Sequence, residues 1–224
     1  MVDDEPRDAT ADLDRRAVEQ RAGLPGPLRP RRPEDFDAMY TATPPWDIGR
    51  PQPAFEALIE SGAVRGRVLD VGCGTGEHAL MAAASGFGAT GIDMAAAAIE
   101  QAQAKARNRR LTVRFVVHDA LDLVSLGEEY DTVLDSGLFH VFEDPDRARF
   151  VEELRRVVVV GGSYQLLCFS DRQPGDWGPR RITQHEIRDS FVEGWRVDSI
   201  DAAYFDVNLE PGRALAWQAA ITRI

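Results

Sequence analysis

Short apolar runs alternate with helix-length amphipathic stretches along this chain. Val68, Leu69 and Val71 form the first run, as expected for a strand buried on both faces. Ahead of it, Ala54 to Ser61 reads as an amphipathic helix with Gly62 as its stop. Behind it, Gly72, Gly74 and Gly76 fall at alternate positions, and His78 to Ala84 continues as a helix. Thr90 to Asp93 predicts a second strand, Thr112 to Val117 a third and Tyr130 to Asp135 a fourth, with an alanine-rich helix over Ala95 to Asn108. Asp146 to Val157 predicts another helix, Gly161 and Gly162 a turn, and Tyr164 to Phe169 a fifth strand. Thr183 to Glu186 has the order of a capping box and opens a helix that ends near Gly194. Trp195 to Phe205 and Ala214 to Ile224 alternate imperfectly and predict two antiparallel strands. The series predicts an α/β fold: a doubly wound, mostly parallel seven-stranded sheet with an antiparallel C-terminal hairpin and helices on both faces.

Length changes the picture little. The 224 residues suit one domain plus an extension. Residues 1–33 hold seven acids, seven arginines and the prolines Pro25, Pro27, Pro30 and Pro33. They predict a flexible charged extension, with a lid over the site as the alternative, and residues 34–224 form the single domain. A net charge of -11 argues against a general nucleic-acid binder. Cys73 and Cys168 are the only cysteines and have no metal-ligand spacing, so two reduced thiols in the cytoplasm are expected and no metal is. No apolar run is long enough for a membrane span.

The chemistry concentrates at the glycines. Alternate glycines between a strand and a helix permit φ > 0 and bring a ligand close to backbone N–H groups. A dinucleotide fingerprint needs a third glycine where Glu77 stands. Asp70 adds a second carboxylate two residues before the first glycine, and two acids suit a ligand with a cationic end. Asp93 ends the second strand 21 residues after Gly72, placed for two ribose hydroxyls.

The run Asp70, Gly72, Gly74, Gly76 resembles motif I of class I S-adenosylmethionine-dependent methyltransferases, which have a Rossmann-like fold. The T-P-P-W-D-I-G-R segment around Trp46 resembles the lead segment of the thiopurine and halide-thiol methyltransferases. That resemblance implies S-adenosylmethionine as cofactor and a small methyl acceptor as partner. It places Tyr40 and Trp46 over the methionine end, Cys73 in the turn, Asp93 on the ribose, Met94 against adenine, and Asp119, Ala120 and Leu121 at the adenine edge. A cation over an aromatic face is favourable by about 0.5–2 kcal/mol, which gives Trp46 a physical reason.

Asp135 and Ser136 match the position where cofactor and acceptor meet. The D-S-G-L sequence there departs from the pattern of nucleobase methyltransferases, so base methylation is disfavoured. Phe139, His140 and Phe142 follow, and Trp177 lies on a later loop, so the acceptor is expected to be apolar or aromatic, with O-, N- and S-methylation open. His140 is the candidate catalytic base, with packing as its other reading. Asp176, Trp177 and Arg180 are expected over the acceptor, and Arg180 or Arg181 could pair with a substrate carboxylate. The alternatives are a nicotinamide-dependent oxidoreductase, opposed by Glu77, and a macromolecule-modifying methyltransferase, opposed by the acidic charge.

Overall fold

The computed structural model describes residues 37–175 and 177–224. The expectations for residues 1–33 and for Asp176 fall outside them. The sheet has seven strands: β1 (Arg67–Val71), β2 (Gly88–Asp93), β3 (Arg114–Val117), β4 (Tyr130–Ser136), β5 (Val158–Phe169), β6 (Trp195–Asp206) and β7 (Arg213–Arg223). Their order is β3-β2-β1-β4-β5-β7-β6. The first five are parallel, and β7 runs antiparallel to both β5 and β6. The chain leaves β1 for β2 and β3 on one side and returns to β4 on the other. A crevice opens at such a switch point, beyond the carboxyl ends of the strands.

Neighbouring residues on one strand feed opposite core layers, which is why the central strands carry consecutive apolar residues such as Val68-Leu69 and Val133-Leu134. Leu69, Val133 and Leu166 pack into one layer with Phe150, Leu154 and Tyr164. Val68, Leu134 and Leu167 pack into the other with Phe55, Leu80 and Ile99. The helices are α1 (Pro53–Glu60), α2 (Glu77–Ala84), α3 (Ala96–Arg109), α4 (Asp144–Val157) and α5 (Gln184–Ser190), with 3-10 turns at Ala120–Leu126 and Phe139–Val141.

Among the boundaries that differ from the sequence reading, β2 begins two residues early at Gly88, β3 two residues late at Arg114, and three others have a local cause. Helix α4 begins at Asp144 because Pro145 suits a first turn, where its missing N–H costs nothing. Gly161 and Gly162 are not a turn: β5 runs through them, and its pairing jumps from Tyr130↔Val158 to Thr132↔Ser163. Gly161 has φ +84°, the usual signature of a bulge. Helix α5 stops at Ser190, short of Gly194. Its capping box is formed, with Thr183 and Glu186 each bonding the other's backbone N–H.

Candidate functional site

The strand tips meet at the glycine turn. The Cys73 N–H donates to Ile92 O at 2.8 Å, drawing the turn over β2. The Gly74 N–H donates to Asp93 Oδ2 at 2.8 Å, and the Ala95 N–H to Asp93 Oδ1 at 2.9 Å. Burial pushes the Asp93 carboxyl above its ordinary range, although these backbone donors pull against it. Gly74 has φ +52°, and a Cβ there would lie 2.8 Å from the Tyr40 hydroxyl. The glycine thus lets the Tyr40 side chain close directly onto the backbone of the turn.

Tyr40 and Trp46 form a pair above the turn. The indole N–H of Trp46 donates to the Tyr40 hydroxyl at 3.3 Å, and their rings meet edge-on at 6.5 Å. Asp47 anchors the same segment by accepting from Thr75 Oγ1 at 2.9 Å. Gln52 exchanges two hydrogen bonds with the Asp206 backbone, and the Asn208 N–H donates to Pro45 O at 2.7 Å. The lead segment is thus strapped to the end of β6.

Between strap and strand tips lies a cavity of about 320 Å³. Tyr40, Trp46, Gly72, Asp93, Met94, Asp119, Ala120, Leu121, Ser136 and His140 all line it. Leu138, Phe142, Phe169, Trp177, Phe205 and Val207 supply an apolar end. Asp119 accepts the Leu121 N–H at 2.8 Å through one carboxylate oxygen. Among the described residues the lining holds four carboxylates, Asp93, Asp119, Glu143 and Asp146, and no lysine or arginine. That charge balance suits a ligand with cationic groups and opposes a pyrophosphate.

Several expected residues lie elsewhere, each for a stated reason. Asp70 is buried behind the turn; its Oδ2 accepts the Ala79 N–H at 3.0 Å and its Oδ1 has no protein partner. Burial, together with Asp93 and Asp135, pushes it up to about 8. Asp135 is also buried, accepting from the Leu138 N–H at 2.7 Å and the Tyr164 hydroxyl at 2.6 Å, so it holds the loop after β4 rather than facing the cavity. Cys73 lines only a smaller neighbouring pocket, and burial pushes its thiol up. Gly76 makes room for Phe115 and Ala102 and touches neither pocket.

Other expectations change in the same way. Phe139 is in the core, stacked on Phe191 at 5.9 Å, and not beside an acceptor. Glu77 does not face a cationic ligand, because Lys105 and Arg109 hold both its oxygens at 2.8 Å. Arg180 is paired with Asp144 and Glu186, and Arg181 donates to the carbonyls of Gln173, Pro179 and Trp177.

His140 is placed differently from a base. The Phe169 backbone N–H donates to its Nδ1 at 3.0 Å. Burial, then the charges of Arg181 and Arg147, push the ring down to about 3. The neutral ring therefore has its proton on Nε2. Sequence reasoning missed Phe205, Val207 and Leu209, which form a wall of the cavity. Nothing local marks them; only the return of β7 between β5 and β6 brings that hairpin over the strand tips.

The family described as "Methyltransferase domain" matches residues 68–162. The 2-heptyl-1-hydroxyquinolin-4(1H)-one methyltransferase of Mycobacteroides abscessus is 37% identical over 173 residues, covering 76% of each protein. The probable thiol methyltransferase 2 of Arabidopsis thaliana is 28% identical over 144 residues, 63% of this chain and 64% of that one. A structure solved for the conversion of a disulfide bond into a thioacetal group during echinomycin biosynthesis superposes with TM-score 0.78 and 37% identity, covering 86% of this chain and 93% of that one. Magnesium protoporphyrin IX methyltransferase of Synechocystis PCC 6803 with bound SAH shares the fold at TM-score 0.60 and 18% identity, over 76% of this chain and 80% of that one.

Proposed function

The chain belongs to the class I S-adenosylmethionine-dependent methyltransferases, and from that premise we propose that it methylates an apolar aromatic acceptor through an exposed oxygen or sulfur atom. The observation behind this reading is the cavity itself. It runs from Asp93 and Asp119 at the strand tips to an apolar end formed by Phe142, Phe169, Trp177 and Phe205. A flat hydrophobic molecule of modest size fits such an end, and a charged polar metabolite does not.

The residues present fit the cofactor. The four cavity carboxylates complement its cationic groups. In this reading Asp93 receives the ribose hydroxyls, Asp119 and Leu121 meet the adenine edge, and Trp46 and Tyr40 cover the sulfonium side. When bound, the cofactor supplies an electrophilic methyl carbon. The protein's share of the work is to align the acceptor and exclude water, and the strap of residues 40–52 together with Trp177 is built to do both.

The similarity to an enzyme named for a 1-hydroxyquinolone and to one named for thiols directs the choice of acceptors. The test is transfer of labelled methyl to 2-heptyl-1-hydroxyquinolin-4(1H)-one and to aromatic thiols, with glutathione as the polar control. Labelling of the aromatic compounds in preference to glutathione is the expected result. Equal labelling of glutathione, or of none of them by a protein that binds S-adenosylhomocysteine, would overturn the acceptor assignment.

A further inference from the structure

We propose that His140 is a fixed hydrogen-bond donor to an acceptor that is methylated as its anion. The acceptor class is then acidic aromatic thiols, acidic phenols and N-hydroxy heterocycles, and the protein supplies no base. This rests on the methyl-transfer reading above and deepens it.

The tautomer is set by geometry. A backbone N–H can only donate, so the one from Phe169, 3.0 Å from Nδ1, needs the lone pair there. The ring proton is left on Nε2. His140 lines the cavity, and Nε2 has no hydrogen-bond partner among the described residues. A Cβ on Gly137 would come within 3.2 Å of Nε2, so the absent side chain keeps the space beside that nitrogen open. A base needs a free lone pair facing the acceptor; this ring presents its N–H there instead.

The surroundings favour an anion at that spot. Arg147 on α4 places its guanidinium over the Phe139 ring, and Arg181, on the loop after β5, stacks on Phe169 and Trp177. Both guanidinium charges oppose a second proton on His140. Arg147 is also paired with Asp144 at 3.3 Å and Glu186 at 3.9 Å, which weakens its share, and the positive potential that remains favours a negative atom held by Nε2–H. The titratable groups that line the rest of the cavity are Tyr40, Asp93, His118, Asp119, Glu143 and Asp146. Glu143 is exposed and Asp146 half-buried, so solvent screens both.

Charge balance closes without a proton step. The acceptor's electron pair forms the bond to the methyl carbon while the carbon–sulfur pair stays on sulfur. An anion and a sulfonium cation leave as two neutral products.

The experiment uses the full chain saturated with S-adenosylhomocysteine and 4-nitrothiophenol as probe, whose anion is read by its absorbance. The expected ionisation midpoint of the bound probe is about one unit below that of the free probe, a tenfold preference for the anion. His140→Phe abolishes the shift. His140→Gln, which keeps an N–H at the end of a flat side chain, retains part of it. Calorimetry with S-adenosylhomocysteine checks that each variant is folded. With S-adenosylmethionine and para-substituted thiophenols, the rising limb of kcat/KM against pH is expected to move with each acceptor's own acidity. A bound midpoint equal to the free one, or a limb at one fixed pH for the whole series, overturns the proposal. Failure of every probe to bind a protein that holds S-adenosylhomocysteine would bring down the acceptor reading, and this proposal with it.

Discussion

Asp93 and Gly74 are joined by a 2.8 Å hydrogen bond from the glycine N–H to the carboxylate, so the tip of β2 is fastened to the middle of the turn that follows β1. The same carboxylate caps Ala95 at the start of α3. Two loops and a proposed ribose contact therefore share one side chain.

Substituting it should separate binding from folding. Asp93→Ala is expected to weaken S-adenosylhomocysteine binding by about 2 kcal/mol or more, roughly thirtyfold, because hydrogen bonds to a charged group are lost. Calorimetry measures this directly. An unchanged Kd in a folded variant would show that Asp93 does not hold the cofactor.

Two of the turn glycines should respond differently to one added carbon. At Gly76 a Cβ would lie 2.6 Å from Phe115 and 2.9 Å from Ala102, with φ at +87°. Gly76→Ala is expected to destabilise the fold by about 2 kcal/mol or more, seen in urea unfolding. At Gly74 the clash is with the far end of Tyr40, which can move. Gly74→Ala should cost less stability and more cofactor affinity. Equal losses of stability at the two sites would contradict this.

Asp70 gives the cofactor-free protein a pH dependence. Its carboxyl is pushed up from 3.8 to about 8, chiefly by burial. A raised folded value means that its contribution to stability is full below about 4 and is lost as pH rises through 8. Thermal midpoints are therefore expected to fall between about pH 4 and 8, and Asp70→Asn is expected to flatten that fall. A slope unchanged in the variant would place the titration elsewhere.

Trp177 tests the acceptor end. It packs edge-on against Phe169, the last residue of β5, at 5.5 Å and lines the cavity. Trp177→Ala is expected to raise the acceptor KM about tenfold, in keeping with about 1.5 kcal/mol of lost apolar contact. The Kd for S-adenosylhomocysteine should not change; a loss there instead would assign Trp177 to the cofactor.

The parallel half of the fold was legible in the sequence because each strand ends in a local signal: Gly72 after β1, Asp93 at the end of β2, Asp119 after β3 and Ser136 at the end of β4. The bulge at Gly161 was not, because a positive φ inside a strand reads like a turn. At the site, exposure misled more than identity did. Asp70 and Asp135 match the family's positions and Phe139 stands in the apolar patch that follows, yet all three turn into the core, and burial is set by packing that no spacing reveals. Glu77 illustrates this best. It bars a pyrophosphate by its place in the sequence, and what it binds, Lys105 and Arg109, comes from a helix about 30 residues away. His140 lay at the cavity as expected; its tautomer depended on a backbone N–H from β5.

Strand β7 lies between β5 and β6, so β6 pairs with one neighbour only. The wall bearing Phe205 and Val207 thus hangs from the sheet's margin, while the glycine turn is clamped at its centre. Changes of side chain on that margin disturb a single ladder. Acceptor preference can diverge there through successive substitutions, with the donor half of the molecule left undisturbed.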